Sequence, residues 1–415
     1  MSHEKKTDMH NSDGDCNEQL RIALVGNFID HGLSLAEITT GIAILLSKID
    51  KISEILIYTI IENERTQFNY EKLIYDEKLK LKIIPIIDPK NPMTVFSLIK
   101  KVMIDNPNII IFNMLPTTLG TGTVSNFFFH LVPIILRFRK VNTRIIYHNT
   151  PLTNNALLLG YSNLFNKLRI SFLTLTELVL FHIIRTKLTL KSYVSYFSNS
   201  WPSSKIGYVD LEFVAAVPSF YSNRSKNSFG SYMKSGPSVK KILLFGYWGP
   251  QKDLERSLRI LKKMKDSGYD FTLTLAGPVN INFPEYVLEY DRIISAYEQI
   301  IDNKISRLVN DSETRDIFEL HDILLLLYRA SGGFSDVLSI AKFYGVDVVA
   351  NNLPEFKEIS ENSDMIKLCD NDNEVIKAIT ELLTTYNYKK NMNTESKIHE
   401  IANKVAGTFE LEGQT

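Results

Sequence analysis

The chain contains two successive runs in which strand patterns alternate with helix patterns, and this alternation restricts its fold more than any other feature. The first run begins with RIALVG at Arg21 and continues through EILIYTI, KLKIIPI, NIIIFNM and RIIYHN. Between several of these apolar segments, apolar residues recur at helical spacing, as in LSLAEITTGIAILLSKI. A β-α-β series of this kind predicts a largely parallel sheet with helices on both faces.

The second run follows a polar passage that is rich in Ser, Gly and Asn. Its strand segments are KKILLFG, DFTLTLAG, DILLLLY and VDVVANN, and DLERSLRILKKMKDSG is a helix that ends at a C-cap glycine. We therefore expect an α/β protein with two Rossmann-like, doubly wound parallel-sheet domains that face each other across a cleft. The predicted divisions are a disordered tail (1–20), a first domain (21–217), a linker (218–240), a second domain (241–385), and a C-terminal helix and tail (386–415).

Composition argues against several functional classes. The 47 basic residues balance the 47 acidic ones, so the net charge gives no indication of a nucleic-acid partner. The two cysteines, Cys16 and Cys369, have neither the spacing of a disulfide framework nor that of a metal site, which indicates a reducing compartment. The first twenty residues are polar and lack the apolar segment of a secretory signal. These features together predict a cytoplasmic protein.

Two apolar segments, Phe127 to Phe138 and Ile170 to Ile184, raise the question of membrane contact. Both are shorter than the ~20 apolar residues that a spanning helix needs, and buried core helices are the simpler interpretation. Lys and Arg residues flank both segments, however. The alternative is therefore a peripheral contact of these helices with the inner face of the cell membrane.

Candidate ligand-binding residues of the first domain stand where its strands end. Gly32 and Ser34 open the first helix, where free backbone N–H groups can bind an anion and Gly32 lets a ligand come close, although Ser34 also fits an ordinary helix cap. His148 ends the strand RIIYHN, where it can hydrogen-bond a sugar hydroxyl or serve as a structural histidine. No G-x-G-x-x-G dinucleotide fingerprint is present in these turns.

In the second domain, the segment LLFGYWGPQKD places Gly246 at a strand end and then Tyr247, a Gly-Pro turn and Lys252. A lysine that faces the cleft near a helix start can neutralise a departing diphosphate, and the alternative is an exposed turn lysine.

A Gly-Gly turn lies between the last two strand segments of this run. Gly332, Gly333 and Phe334 lead into a helix that starts at Ser335 and Asp336. Glycine leaves room for a ligand, and the N–H groups of a helix start can bind phosphate oxygens without any carboxylate. A tight strand-to-helix turn is the alternative.

These motifs resemble the donor-binding half of glycosyltransferase family 4. Family members have a Gly-x-x-x-Pro-x-Lys segment, which is similar to Gly246 to Lys252, and a Gly-x-Pro-Val-Val-Ala strand, which is similar to 345–350 with Asp347 in place of proline. The following segment, NNLPEFKEI, resembles the family's loop that leads to an acidic residue, with Glu355 or Glu358 in that place. His148 and Gly32 match the family's histidine and its glycine loop near the acceptor.

The resemblance implies the GT-B architecture and a hexosyltransferase that moves a sugar from a nucleotide sugar to an acceptor hydroxyl with retention at the anomeric carbon. It implies catalytic roles for Lys252 and His148, and a glycan or lipid-linked glycan as acceptor. Neither a cofactor nor a metal is expected, since GT-B enzymes of this kind usually need no divalent metal.

The chain departs from the family at two positions. Many members carry two glutamates, one of which binds the ribose, where this chain has Gly332 and Ile340. Ribose recognition would then pass to Asp336 or Glu355. Two other interpretations therefore stay open: a catalytically silent GT-B protein that binds or stabilises a partner transferase, and another two-lobed α/β enzyme such as an epimerase or a phosphorylase.

Overall fold

The computed structural model of the chain contains two parallel sheets. The structure describes residues 19–26, 34–61, 80–114, 123–147, 164, 168, 171–172, 175–176, 181–184, 186–189, 205–208, 213–221, 239–280, 283–331, 335–361, 363–385 and 395–409.

The first sheet has seven strands, and all of its strand pairs are parallel. The strands are β1 (Leu20–Val25), β2 (Ile52–Ile60), β3 (Leu81–Ile87), β4 (Ile109–Met114), β5 (Thr143–Tyr147), β6 (Thr186–Thr189) and β7 (Lys205–Tyr208). Their order is β3-β2-β1-β4-β5-β6-β7, so the chain winds outward from β1 first in one direction and then in the other. This reversal of direction beside β1 is the position where parallel sheets bind ligands.

Helices cover both faces of the first sheet. They are α1 (Ser34–Ser47), α2 (Thr94–Asp105) and α3 (Thr123–Phe138). Because successive strand side chains point to opposite faces, Ile22 and Leu24 pack in one core with Ile42 of α1, whereas Ala23 and Val25 pack in another with α2 and α3.

The second sheet has six strands, again all parallel. They are β8 (Lys241–Phe245), β9 (Thr272–Ala276), β10 (Asn303–Ile305), β11 (Ile323–Leu326), β12 (Asp347–Asn351) and β13 (Ile366–Cys369). The order β10-β9-β8-β11-β12-β13 repeats the reversal seen in the first sheet, here between β8 and β11.

The remaining helices surround this second sheet or join the two lobes. They are α4 (Val217–Tyr221), α5 (Leu254–Asp266), α6 (Tyr286–Tyr297), α7 (Asp311–Leu320), α8 (Asp336–Phe343), α9 (Pro354–Ser360), α10 (Asp372–Thr384) and α11 (Glu395–Thr408). Local sequence explains several of them: Asn310 and Glu313 form a capping box at the start of α7. In α5, the buried residues Leu254, Leu258 and Leu261 recur at helical spacing.

The two lobes share a continuous apolar junction. A 3₁₀ turn (Val214–Ala216) and α4 lie between α1 of the first lobe and α8 of the second, and α11 returns to pack on α1. At Gly41 in α1, an added Cβ would overlap the Val214 carbonyl oxygen, so this contact requires glycine. Ser219 Oγ lies 2.8 Å from Tyr344 Oη in a buried hydrogen bond across the junction.

The structure confirms the nine strand segments that the sequence analysis selected, and they correspond to β1–β5, β8, β9, β11 and β12. The sequence analysis missed β6, β7, β10 and β13, which contain only three or four residues and mix apolar with polar ones, whereas the four residues of β11 are all apolar. Residues 218–221 of the predicted linker belong to α4, whose first residues are buried at the junction. Residues 222–238 lie outside the described part, and the domain boundaries stay a prediction.

The apolar segment 127–138 is the last part of α3, which packs its inner side chains in the first lobe's core, as predicted. Seven of the fifteen residues of the segment 170–184 lie outside the described part of the chain. Of the others, Ile184 is buried as predicted, whereas Phe172, Leu175 and Ile183 are exposed, contrary to the prediction of a buried core helix. No helix in the described part of the chain has the length and apolarity needed to cross a bilayer.

Candidate functional site

The carboxyl ends of β8 and β11 bring three residues from distant parts of the sequence together. These two strands pair in parallel, so Gly246, directly after β8, and Tyr328, shortly after β11, lie at the same edge of the sheet. A Cβ atom added to Gly246 would lie 3.8 Å from Lys252 Nζ and 3.9 Å from Tyr328 Oη. Gly246, Lys252 and Tyr328 therefore surround one small space at the strand ends.

Two glycines allow the ends of β8 and β9 to approach each other at this point. Gly246 has φ 143° and Gly277 has φ 112°, values that residues other than glycine rarely adopt. The Gly246 N–H donates a hydrogen bond to the Ala276 carbonyl at 3.1 Å. A Cβ on Gly277 would overlap the Gly246 carbonyl oxygen, so the path of the backbone beside Lys252 requires glycine at position 277.

Lys252 ends a 3₁₀ turn (Pro250–Lys252) that begins after the extended residue Gly249. The residue after Tyr328 holds this turn in place: the Arg329 N–H donates to the Gln251 carbonyl at 2.8 Å. The Arg329 guanidinium also donates to Asp253 Oδ1 at 2.8 Å. Two contacts from one residue thus fix the backbone on which the Lys252 side chain stands.

The Lys252 ammonium lies over the aromatic face of Tyr328, with Nζ 3.7 Å from the ring centroid. This distance is well within the range of a cation–π interaction. Tyr328 is buried, and its hydroxyl has no hydrogen-bond partner among the described residues. Burial lowers the pKa of Lys252 to about 7, although the charge of Asp336 acts in the opposite direction. Within the part of the chain that the structure describes, the lysine therefore lacks a full countercharge, and an anionic ligand would supply one.

Helix α8 begins beside Lys252. Ser335 is its N-cap, and the Ser335 side chain accepts a hydrogen bond from the Leu338 N–H. Asp336, the first residue of the helix, is buried, and within the described part of the chain its Oδ1 atom has no hydrogen-bond partner. Burial raises the pKa of Asp336 to about 7, while the charge of Lys252 lowers it. A buried carboxyl oxygen without a hydrogen-bond partner lowers the stability of the folded protein unless a ligand bonds to it.

The first lobe contributes a carboxyl group to the same region. Glu37, in the first turn of α1, is half-buried. Its pKa is raised well above its usual range, first by burial and then by the charges of Asp336 and Asp311 in the second lobe. The Glu37 carboxyl therefore lies within electrostatic range of these two carboxyl groups of the second lobe.

Sequence reasoning missed three residues of this site: Tyr328, Gly277 and Glu37. Tyr328 and Gly277 each stood at the end of a recognised strand segment, so their position at the ligand-binding edge of a parallel sheet was a usable signal. Glu37 gave no such signal, because its neighbours Asp336 and Asp311 belong to the other lobe.

The structure brings Gly246, Lys252 and Asp336 together, and Ser335 stands next to Asp336 as the helix cap. Tyr247 is half-buried directly after Gly246.

Glu355 is half-buried in the first turn of α9. Its neighbour Phe356 packs against Tyr328 with 5.6 Å between the ring centroids, so the start of α9 is close to the site. Ile340 is buried in α8 and supplies no carboxylate.

Several predicted site residues cannot be placed. Gly32, His148, Gly332, Gly333 and Phe334 lie outside the described residues. The structure describes Ser34 as the first residue of α1 but does not describe its side chain. The roles predicted for these six residues therefore stay predictions.

Comparison with known proteins locates this arrangement in a fold family. No family model matches the chain, and no curated protein matches its sequence. Solved structures match almost its whole length, however. HepE from Anabaena, crystallised with UDP-glucose, superposes with a TM-score of 0.61 at 12% identity and covers 96% of this chain and 100% of its own.

Two further structures show the range of activities on this fold. A Listeria monocytogenes protein assigned as a UDP-N-acetylglucosamine 2-epimerase has a TM-score of 0.59 at 13% identity, covering 96% of this chain and 98% of its own. WaaG, a glycosyltransferase of lipopolysaccharide biosynthesis, has a TM-score of 0.55 at 12% identity, covering 95% of each chain. The chain has the GT-B fold: two parallel-sheet α/β domains that match these structures throughout. Identities this low establish the fold and leave the activity open.

Proposed function

We propose that the protein is a glycosyltransferase that uses a nucleotide-sugar donor and binds the donor diphosphate at Lys252 and the start of α8. The observation that carries this proposal is the position of Lys252 Nζ, held 3.7 Å from the Tyr328 ring centroid at the glycine-containing ends of β8 and β9. Among the described residues, the charged group that acts on this lysine is Asp336, whose own pKa is raised.

Each part of the site has a role in this proposal. Lys252 neutralises charge that develops on the diphosphate as the bond between the anomeric carbon and the phosphate oxygen breaks. The backbone N–H groups at the start of α8 bind phosphate oxygens, and Gly246 leaves space for the ligand. Since Ile340 is apolar and buried, Asp336 or Glu355 binds hydroxyl groups of the donor.

The proposed chemical step is a displacement with retention, as the resemblance to glycosyltransferase family 4 implies. The leaving diphosphate takes the electron pair of the bond that breaks, and the acceptor oxygen forms its bond to the anomeric carbon on the same face, with retention. The acceptor proton passes to the departing phosphate oxygen. No metal and no nucleophilic carboxylate takes part, in contrast to retaining glycosidases with their paired carboxylates. His148 would contact the reacting sugar, as the resemblance to glycosyltransferase family 4 implies.

HepE has been crystallised with UDP-glucose and with UDP, which makes a UDP-hexose the first donor to test. The acceptor is a hydroxyl group of a glycan or of a lipid-linked glycan, reached from the cytoplasmic side of the membrane.

A second candidate is a GT-B protein that binds a nucleotide sugar without transferring the sugar, or an epimerase. The apolar side chain of Ile340 and the glycine at 332, where family 4 members often carry glutamates, favour it. The similarity to the Listeria protein shows only that a UDP-sugar epimerase is compatible with this fold.

Donor binding and turnover distinguish these candidates. Isothermal titration with UDP-, GDP- and ADP-sugars measures binding, and release of the free nucleoside diphosphate measures transfer or hydrolysis. Lys252→Ala should lose donor binding and release of the nucleoside diphosphate. Lys263→Ala removes an exposed lysine on the neighbouring helix α5 and should keep both. Binding without nucleotide release would favour the second candidate. Full activity in Lys252→Ala would exclude the proposed role of this lysine.

A further inference from the structure

Helix α2 is apolar on two opposite faces. Val95, Leu98 and Val102 are buried against the first sheet. On the outward face, Phe96 and Ile104 are 52% and 65% exposed. A helix on the surface of a globular protein ordinarily carries polar residues on its outward face. The apolar outward face of α2 is therefore not explained by packing within this chain.

Helix α3, which packs beside α2, shows the same arrangement. Its outward residues are Val124, Phe127, Leu131, Ile135 and Phe138, which recur at the spacing of one helical face. Val124 and Phe138 are exposed, the latter by 70%, and the other three are half-buried. None of the five is polar, so the outward face of α3 extends the apolar face of α2.

A third set of exposed apolar side chains adjoins α3. The Phe172 ring stacks on Phe127 with 6.3 Å between the centroids. The helical residues Leu164, Leu168 and Leu175 are exposed like Phe172 and share its helical spacing. Of the fifteen large apolar side chains that are exposed in the described part of the chain, eleven lie between residues 93 and 183. We define the apolar surface as the outward faces of α2 and α3 together with Phe172.

Basic residues accompany the apolar surface. Between residues 93 and 208 the chain has twelve Lys and Arg residues but only two acidic ones, Asp105 and Glu177. Since the whole chain has 47 of each, the remainder is acidic on balance. Lys100 lies within the outward face of α2, and Arg139 and Lys140 follow Phe138 at the end of α3. The part of the sequence that forms the apolar surface is thus basic on balance, and the exposed residues Lys100, Arg139 and Lys140 lie in or beside that surface.

We infer that the apolar surface is a docking site for an anionic lipid bilayer. Apolar side chains on helices lying in the interface plane, edged by Lys and Arg, are the combination that partitions between lipid headgroups. Each basic residue near an anionic surface adds attraction, and the acidic remainder of the chain is repelled, which orients the molecule.

Other occupants fit the apolar surface less well. A second copy bound by twofold symmetry would place the same positive charges opposite each other. A nucleic acid would pair with the basic residues but would leave the aromatic and aliphatic side chains in water.

Docking through this surface leaves the proposed donor site free. Helices α2 and α3 cover one face of the first sheet, whereas α1, the lobe junction and α11 lie on the other. The membrane-docking inference does not depend on the proposed transferase activity, so an experiment can contradict one of them and leave the other intact.

Vesicle flotation with the full chain tests the inference, using phosphatidylcholine vesicles with and without phosphatidylglycerol at low and high salt. The wild type should bind the anionic vesicles at low salt and detach at high salt. Phe96→Ser/Phe138→Ser should bind at least about tenfold more weakly because two exposed apolar anchors are lost. Arg139→Gln/Lys140→Gln should lose about fivefold for each cation removed.

Leu288→Ser is the matched control, since it removes a side chain that is 82% exposed on α6 of the second lobe. It should bind vesicles as the wild type does. All variants change exposed residues and should keep the wild-type thermal midpoint, which calorimetry checks.

Absence of wild-type binding to anionic vesicles would overturn the inference. Equal weakening by Leu288→Ser would also overturn it, because the anchor would then be elsewhere. Concentration-dependent dimerisation that Phe96→Ser/Phe138→Ser abolishes would assign the surface to a second copy instead. Unchanged nucleotide-sugar binding in the same variants would show that the donor site is intact in every case.

Discussion

Lys252 Nζ lies 3.7 Å from the centroid of the Tyr328 ring, and the residue after Tyr328 holds the turn on which Lys252 stands. The tyrosine thus orients the ammonium through its ring, while its hydroxyl stays without a partner in the described part of the chain. The effect of the Tyr328 ring on donor affinity can therefore be measured separately from the effect of its hydroxyl on the free energy of unfolding.

Replacing Tyr328 should therefore give two distinct results. Tyr328→Leu removes the cation–π contact and should weaken donor affinity about five- to tenfold, which corresponds to ~1 kcal/mol. Tyr328→Phe keeps the ring and removes an unpaired buried hydroxyl, so the free energy of unfolding of the ligand-free protein should stay equal or rise. Calorimetry and donor titration of both variants measure this. A Tyr328→Phe variant that is destabilised without ligand would indicate a hydrogen bond to the hydroxyl that the structure does not show.

Donor affinity should fall as the pH rises through about 7. Lys252 has a pKa lowered to about 7 and loses its positive charge above that pH, while Asp336, with a pKa raised to about 7, gains a negative charge. Both changes oppose binding of an anionic diphosphate, and each proton contributes up to about tenfold per pH unit. UDP-glucose is a suitable probe, because its diphosphate diester does not titrate in this range.

Titration of UDP-glucose across neutral pH in buffers of different ionisation enthalpy measures the proton uptake. Asp336→Asn should retain the effect of Lys252 alone and show a shallower pH dependence. An affinity that does not vary with pH would contradict the proposed contact between Lys252 and the diphosphate.

Gly277→Ala should destabilise the second lobe severely. The added Cβ would overlap the Gly246 carbonyl oxygen, and φ at this position is 112°. We expect a loss of about 3 kcal/mol in the free energy of unfolding, from overpacking and backbone strain combined. Gly268→Ala is the control: φ is 88° there, but nothing lies within 4 Å of the added Cβ. Gly268→Ala should lower the free energy of unfolding by about 1 kcal/mol, because of the positive φ alone. Urea titration compares the two variants, and equal losses would show that the close approach to Gly246 is unimportant.

Gly41→Ala should loosen the lobe junction. Its Cβ would overlap the Val214 carbonyl oxygen where α1 meets the 3₁₀ turn. We expect a loss of about 2 kcal/mol despite the better helix propensity of alanine. Gly407 in α11 has open space around an added Cβ. Gly407→Ala should therefore raise the free energy of unfolding by about 0.5–1 kcal/mol. Thermal unfolding of both variants tests this, and stabilisation by Gly41→Ala would contradict the contact.

The sequence by itself determined the fold class and several members of the site. Strand and helix periods fall within continuous segments, so nine strands, the helix α1 and the two-sheet architecture were readable from local spacing. Gly246, Lys252 and Asp336 were predicted because they follow strand ends, and parallel sheets bind ligands at those ends.

Only the tertiary structure decided how these residues act together. Tyr328 is 76 residues away from Lys252, so no local pattern could reveal that the two meet. Glu37 belongs to a different lobe from Asp336, whose charge helps to raise the pKa of Glu37, and no local pattern could reveal this effect either. The same holds for Gly277, whose need for glycine comes from the path of the neighbouring strand rather than from its own turn. Sequence periodicity sets which residues belong to a strand or a helix face, whereas contacts across strands and lobes depend on the packing of the whole chain.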